Sequence, residues 1–366
     1  MIRTRTGAAL LALTLIAAAC GGGGDDSAVT TEAATTTTSS TTTTVKPTTT
    51  TASTTTTTTV APTIRQPLTG APLESAEEII PRAALVAKID NNPAAVPNHS
   101  GLGVADLVFE EMVEGRTTRF AAVFHSQSSD PIGPIRSGRT QDIDMFSSFN
   151  FPLFVWSGGN PNVTRAIDES ALLNMGPNHA SGYWRGPGRA PHNLYTSTDN
   201  IWAQTPALQP GAPDQQFEYL EADDTFTGDP LAGARFPVGS ERIEWTWNAE
   251  RGQFERSQRG QPHNDSLTGR IGATNVIVMG VAYQPSPADR RSPEAQTVGE
   301  GPVYVLSDGK ATGGVWRRET NAEPIGFFTI DGTPIALNVG NTWIELAEQA
   351  VVDGTPLIDI ELLPAG

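Results

Sequence analysis

The segment "ADLVFEEMVEGRTTRFAAVFHS", Ala105–Ser126, contains two runs that favour β-strands, "LVFEEMV" and "TRFAAVF". Both are rich in Val, Phe and other residues that fit a pleated, buried surface. Gly115 and Arg116 lie between them, and a short glycine-containing connection between two strand-like runs is typical of a hairpin. The segment therefore predicts a β-hairpin in the first half of the folded region.

The sequence on either side of this hairpin alternates strand and helix signals. Upstream, "RAALVAKIDNN" (82–92) predicts a buried strand that ends in a turn. Downstream, the Pro/Gly loop in "DPIGPIRSGRTQDIDMF" (130–146) leads into a predicted helix over about 139–149, with Ser137 or Thr140 as its cap. "FPLFVWSGG" (151–159) predicts a strand. "NPNVTRAIDESALLNM" (160–175) predicts a helix with Pro161 in its first turn.

The pattern changes after a Pro/Gly/Asp-rich segment near 209–214. Alternating runs such as "RIEWTWNAERGQFERSQRG" (242–260) and the Asp-Gly turns at 308–309 and 331–332 predict mostly β structure. The fold class expected is thus an α/β N-terminal domain over 77–210, followed by a mostly β C-terminal domain over 211–366. We expect its tryptophans to fill the core of the β domain, the alternative being a platform for sugar stacking. These are Trp245, Trp247, Trp316 and Trp343.

The first residues, "MIRTRTGAALLALTLIAAAC", have the charged, apolar and small-residue regions of a secretory signal peptide over 1–20. Cys20 is the sole cysteine of the chain, so an internal disulfide is excluded. Its position directly after the signal predicts lipidation and attachment at the outer, extracytoplasmic face of the cytoplasmic membrane. The alternative is simple cleavage that leaves a secreted protein.

Residues 21–76 begin with a long Thr-rich tract that offers little apolar area to offset the entropy of ordering. We expect this segment to be a disordered linker or stalk. The chain carries a net charge of −16. Nucleic-acid binding requires a basic surface, so no nucleic-acid partner is expected.

Arginines nevertheless collect in one stretch of this acidic chain. Between Glu114 and Arg139, four arginines accompany only Glu114 and Asp130. Guanidinium groups bind phosphate in a bidentate manner, and a Gly/Pro loop before a helix adds free backbone N–H groups. The candidate anion-binding residues are Arg116, Arg119, Arg136 and Arg139. The alternative is a structural network in which Arg119 and Arg136 pair with Glu110, Glu111 or Glu114.

Several ordered blocks resemble the YerB-like bacterial lipoproteins, whose domain of unknown function is called DUF3048. They are "KIDNNP", "GLGVADLVFEEMVEGRTTRFAAVF", "IGPIRSGRTQDID", "RAPHNLYT", "GGVWRR" and "VGNTWIEL". The resemblance covers nearly everything after the Thr-rich tract. It implies a two-part extracytoplasmic lipoprotein, and it implies no reaction.

A second resemblance is to the LytR–CpsA–Psr enzymes, which transfer glycopolymers from a polyprenyl-pyrophosphate carrier. The order Asp90, Asp106, Arg119, Arg136 and Arg139 is similar to theirs, although "GPIRSGR" matches their segment only loosely. This resemblance implies Mg²⁺ as a cofactor, and a carrier lipid or cell-wall polymer as a partner. The candidate metal-binding or acid–base residues are Asp90, Asp106, Glu110, Glu114, Asp142 and His192.

Four of the histidines lack the spacing of a metal site. His125, His179, His192 and His263 are scattered, without the spacing of a zinc site. His192 and His263 each lie in a predicted Gly/Pro loop. The sequence leads to two hypotheses: a membrane-anchored lipoprotein that binds an anionic envelope ligand, or a non-catalytic scaffold with a structural arginine network.

Overall fold

The structure, a computed structural model, describes residues 63–365. The predicted signal peptide, Cys20 and the Thr-rich tract up to residue 62 lie outside the described residues. Three α-helices occur in the described part: α1 Gln141–Phe146, α2 Pro161–Asp168 and α3 Thr198–Trp202. None of the helices within 63–365 is long and apolar enough to cross a membrane.

The first half of the described chain contains nine strands. They are β1 Ile64–Arg65, β2 Pro72–Leu73, β3 Leu85–Asp90, β4 Leu107–Met112, β5 Thr118–Phe124, β6 Leu153–Val155, β7 Leu173–Asn174, β8 Trp184–Arg185 and β9 Leu194–Tyr195.

The second half is built almost entirely of strands. They are β10 Asp229–Val238, β11 Glu241–Asn248, β12 Gln253–Gln258, β13 Gln261–Pro262, β14 Asn264–Asp265, β15 Gly269–Arg270, β16 Gly272–Ala273, β17 Asn275–Val281, β18 Tyr283–Pro285, β19 Pro293–Ala295, β20 Gly299–Ser307, β21 Lys310–Arg318, β22 Gly326–Phe328, β23 Thr342–Val352, β24 Thr355–Ile358 and β25 Glu361–Pro364.

A central mixed sheet runs through both halves of the sequence. Its strands pair successively as β7, β6, β3, β5, β4, β23, β17, β20, β21 and β22. The predicted hairpin is confirmed as β4–β5, which turns at Gly115 with φ 66° and Arg116 with φ 59°. β23 pairs in parallel with β4, with Glu345 opposite Glu110. The strands predicted for two domains therefore share one sheet.

The central sheet is buried on both faces, and each face has its own core. Strands β10, β11, β12 and β25 form a smaller antiparallel sheet whose side chains, including Trp245, pack with Ile89 and Phe120 on one face. α1 and α2 cover the other face. This arrangement confirms an α/β first half and a mostly β second half. Trp245, Trp316 and Trp343 are buried, as expected of core residues.

The predicted linker extends too far toward the C-terminus. The linker was expected to reach residue 76, but β1 pairs with β2, and Leu68 is buried in the helix-side core. The Arg65 guanidinium donates to the carbonyl oxygens of Gly70 and Leu220, both at 2.9 Å. The folded region therefore includes the residues from 63 onward, because this segment buries apolar surface and satisfies its polar groups. The division near residue 210 stays a prediction.

The predicted helices are shorter than expected. α1 ends at Phe146, and neither proposed side chain caps it: the Thr140 hydroxyl lies instead 2.6 Å from the hydroxyl of Ser286. α2 begins at Pro161 as predicted, and the Asn160 side chain accepts from the backbone N–H groups of Asn162 and Val163. It ends at Asp168, and Leu173 then joins β7. The helical periodicity of the sequence continues to Met175, but the residues from Leu173 pair with β6 in the sheet instead.

Candidate anion-binding site

Charged side chains gather at one edge of the central sheet, on the face that α1 and α2 cover. β3 and β4 end at this edge, and β5 begins there, because both pair antiparallel to β5. Arg119 lies opposite Asp90 on one side and opposite Glu111 on the other. Side chains alternate along a strand, so Lys88 and Asp90 share the helix-side face.

The Pro/Gly loop brings two more arginines to this edge. It runs antiparallel to β3, with Asp90 N donating to Pro134 O at 2.9 Å and Arg136 N donating to Lys88 O at 2.8 Å. A bridge between Ile89 and Ile135 continues this pairing. The loop therefore holds Arg136 and Arg139 beside the end of β3.

The three arginines at this edge differ in their partners. Arg139 forms a bidentate pair with Glu114, in which Nε donates to Oε1 at 2.6 Å. Arg136 Nε lies 3.1 Å from Asp90 Oδ2, an ion pair without an aligned hydrogen bond. Arg119 Nη1 donates to the carbonyl oxygen of Ser137 at 2.9 Å and makes no ion pair within residues 63–365. The cluster is thus partly neutralised.

Arg119 is the most buried member of this cluster, with 8% of its surface exposed. Burial, and next the like charge of Arg139, lower the pKa of Arg119 to about 10. Nearby Glu114 opposes this shift, and Arg136 adds to it. An anion bound at this edge would relieve the repulsion among the three guanidinium groups.

His192 also reaches this edge. It lies in the loop between β8 and β9, and its Nδ1 donates to Asp90 Oδ2 at 2.5 Å. The second oxygen of Asp90 accepts from Asn92 N at 3.0 Å. His192 is therefore held by a buried carboxylate while its side chain stays 20% exposed.

A cavity of about 500 Å³ opens beside Arg139, between the Pro/Gly loop and the start of α2. Ser137, Ser157, Gly158 and Gly159 line it. The backbone N–H groups of the two glycines, and both serine hydroxyls, donate to no acceptor in the described part of the chain. Two further charged pairs, Arg139 with Glu114 and Arg291 with Asp289, complete the wall. This lining offers donors that suit an anion.

Two other predicted site residues lie elsewhere. Asp106 precedes β4, at the opposite edge of the sheet from Asp90, so the two do not converge. The Asp106 carboxylate accepts from the backbone N–H groups of His125 at 2.5 Å and Ser126 at 2.7 Å, which makes it a turn-forming group. Arg116 lies in the turn between β4 and β5, where its exposed side chain pairs with Glu348 at 2.8 Å.

Asp142 belongs to a buried group that adjoins the site. Lys88 Nζ donates to Asp142 Oδ1 at 2.8 Å and to Glu111, and the other Asp142 oxygen accepts from Arg139 N at 2.7 Å. Burial and the neighbouring Asp142 raise the pKa of Glu111 to about 7, against the opposing effect of Lys88. Lys88, the charged residue inside the apolar run "ALVAKI" (84–89), is the sequence signal that could have indicated this group.

Glu110 lies on the opposite face of the sheet, in a second buried network. Arg256 Nη2 donates to Glu110, and Arg256 Nη1 donates to Nδ1 of His263 at 2.8 Å. His263 Nε2 lies 2.8 Å from His99 Nδ1. His99 Nε2 in turn donates to the carbonyl oxygen of Asp90 at 2.6 Å. His263 is thus a core residue and not a loop residue at the surface.

Sequence reasoning missed the histidine pair and Arg256. The donor order from Arg256 through His263 to His99 requires both imidazoles to be neutral. In agreement, burial lowers the pKa of His99 to about 4 and lowers the pKa of His263. In the predicted Mg²⁺ region, as in the rest of residues 63–365, no three His, Cys, Asp or Glu side chains converge as metal ligands.

Comparison with protein families places this chain in a family of unknown function. The family model "Protein of unknown function (DUF3048) N-terminal domain" matches residues 68–211, and the corresponding C-terminal domain model matches residues 234–344. The chain therefore belongs to the DUF3048 family, in agreement with the resemblance in its sequence.

The comparisons also give a relative and a solved structure. The chain is 26% identical over 298 residues to "Putative lipoprotein YerB" of Bacillus subtilis, covering 78% of this chain and 87% of the relative. The crystal structure of YerB protein from Bacillus subtilis matches with a TM-score of 0.67 at 24% identity. That match covers 78% of this chain and 96% of the solved one, and it shows the shared fold.

Proposed function

We propose that this protein is an extracytoplasmic lipoprotein, anchored through Cys20, that binds a phosphate or pyrophosphate group of a cell-envelope ligand at the arginine cluster of Arg119, Arg136 and Arg139. The anchor is supported by the signal-like sequence before Cys20 and by the name of the Bacillus subtilis relative. The ligand class would include a carrier-lipid head group or a phosphorylated cell-wall polymer.

The observation that carries the ligand proposal is Arg119. It is a nearly buried cation, and within residues 63–365 its guanidinium has a carbonyl partner but no carboxylate in ion-pair contact. Buried charges are costly unless they are paired. Of the three arginines, Arg139 lines the neighbouring cavity together with Ser137, whose carbonyl oxygen accepts from Arg119. A phosphate group bound there would bring negative charge close to Arg119.

A scaffold role is the second candidate, and the Arg139–Glu114 pair favours it. A bidentate pair of this kind already satisfies Arg139 without a ligand. Including Lys88, four cations at this edge face four carboxylates: Asp90, Glu111, Glu114 and Asp142. With all four carboxyls ionised the charges balance, and the group gains excess positive charge only when Glu111 is protonated, which burial favours by raising its pKa to about 7.

Calorimetric titration of the purified chain with pyrophosphate tests the choice. We expect the wild type to bind, and Arg119→Ala and Arg136→Ala to lower the affinity roughly tenfold to a hundredfold, because each charge-assisted hydrogen bond contributes ~1.5–3 kcal/mol. Arg317→Ala is the matched control, since the Arg317 side chain is exposed and pairs with the exposed Glu300 on the neighbouring strand β20. Absence of binding by the wild type, together with a strongly destabilised Arg136→Ala, would leave the scaffold role.

A further inference from the structure

The Asp90–His192 pair has the geometry of an acid–base group. Asp90 ends β3 and is buried, and His192 Nδ1 donates to its Oδ2 at 2.5 Å. With the proton on Nδ1, the neutral imidazole carries its lone pair on Nε2. Nε2 has no hydrogen-bond partner within the described residues, and the side chain is 20% exposed. A water molecule can therefore reach the basic nitrogen.

One arginine contacts the Asp90–His192 pair, and two more lie close to His192 in the sequence. Arg136 Nε lies 3.1 Å from the same Asp90 oxygen that holds His192. Arg185 ends β8, Arg189 lies on the loop that carries His192, and both are exposed. Arg185 Nη1 donates at 3.1 Å to Oδ1 of Asn193, the residue that follows His192. These charges suit a substrate that is itself a multiply charged anion.

We propose that His192 is a general base for hydrolysis of a phosphoanhydride bound at the arginine cluster, with Asp90 as its positioning residue. This inference rests on the proposed phosphate-binding function and goes beyond it by assigning a reaction. Two facts motivate it: a histidine oriented by a buried carboxylate, and an arginine in contact with that same carboxylate.

The reaction balances with water as the co-reactant. The oxygen of water forms a bond to phosphorus while its proton passes to His192 Nε2. The bond from phosphorus to the bridging oxygen breaks, and its electron pair stays on the departing phosphate. The imidazolium then returns its proton to solvent. A departing phosphate is stable as an anion and requires no proton from the protein, so one base is sufficient.

The experiment compares phosphate release with ligand binding on the same purified, full-length proteins. Pyrophosphate is the substrate, assayed in Mg²⁺ and separately in EDTA, and its non-hydrolysable methylene analogue reports binding alone. We expect His192→Asn to lower kcat about a hundredfold or more while analogue affinity changes no more than about threefold. Asparagine can still donate to Asp90. His179→Asn, at an exposed loop position, is the control and should hydrolyse pyrophosphate as the wild type does.

Asp90→Asn separates positioning from folding, because it should lower kcat with little change in KM. Wild-type protein that binds the analogue but releases no phosphate would overturn this inference and leave the proposed binding function intact. Full activity of His192→Asn would do the same. Failure of the wild type to bind the analogue would refute both. If His192→Asn does not fold, His192→Gln with the same readout replaces it.

Discussion

Glu110 and Glu345 lie directly opposite each other on the neighbouring parallel strands β4 and β23, and one buried arginine forms ion pairs with both. Arg256 Nε lies 3.3 Å from Glu345 Oε1, and its Nη2 contacts Glu110. Glu345 also accepts from Trp245 Nε1 at 3.0 Å. The arginine comes from the smaller sheet, so this group joins both sheets and both halves of the sequence.

Removing this arginine should destabilise the fold. Arg256→Met leaves the buried carboxyl groups of Glu110 and Glu345 without their cationic partner, and we expect a loss of about 3–5 kcal/mol in the free energy of unfolding. Urea denaturation followed by circular dichroism measures it. Arg251→Met removes an exposed arginine paired with Glu255 at 2.9 Å and should cost less than about 1 kcal/mol. Equal stability of wild type and Arg256→Met would contradict a structural role for the network.

Stability should also fall as pH rises above 6.5. Burial, reinforced by Glu345 and opposed by Arg256, raises the pKa of Glu110 to about 8. Between about pH 4 and pH 8 the folded chain holds a proton on Glu110 that the unfolded chain has released. The stabilisation that Glu110 contributes is therefore complete below about pH 4 and is lost as pH rises through 8. Each such carboxyl adds a slope of at most about 1.4 kcal/mol per pH unit.

Unfolding measured above pH 6.5 separates the contribution of the buried carboxyl groups from that of the buried histidine His99. The lowered pKa of His99 acts with the opposite sign, since its contribution is lost as pH falls from 6.5 through about 4. Unfolding titrations between pH 6.5 and 8.5 should show a decline for the wild type and a flatter profile for Glu110→Gln. A profile for Glu110→Gln as steep as that of the wild type would place the titrating group elsewhere.

Two truncations should define where the folded region begins. Removal of residues 1–62 should leave the melting temperature unchanged if the Thr-rich tract contributes no packing. Removal of residues 1–76 should lower it by several degrees, because Leu68 is 1% exposed and burying a leucine contributes ~1.5–3 kcal/mol. Scanning calorimetry on both proteins measures the difference, and a lower melting temperature for the shorter deletion would show that the tract docks on the fold.

The predicted lipidation of Cys20 can be tested independently of the structure of the folded region. If it is the acceptor, Cys20→Ser should abolish incorporation of radiolabelled palmitate and release the protein into the medium, since the attached acyl chains provide the membrane affinity. The full-length chain with Ser39→Ala is a suitable control, because that position lies in the same N-terminal part and cannot be acylated through sulfur. Label that survives Cys20→Ser would exclude the lipoprotein assignment.

Local signals predicted local structure well. The β4–β5 hairpin, the strand that ends at Asp90 and the start of α2 at Pro161 follow from residue types and spacing within a few positions. The predicted arginine cluster also exists for Arg119, Arg136 and Arg139, because β5 and the Pro/Gly loop bring them to one edge. Arg116 and Asp106 were misplaced, since the direction of a turn and the edge that a residue occupies depend on how strands pair.

The sequence by itself determined the order of strands and helices, the family and the acidic charge balance, because these depend on residues that are neighbours along the chain. Only the tertiary structure decided that β23 inserts beside β4, that Arg256 serves two buried glutamates, and that His192 meets Asp90. Each of these contacts joins residues far apart in the sequence. Their free energy comes from burial and from pairing of desolvated charges, which no local pattern encodes.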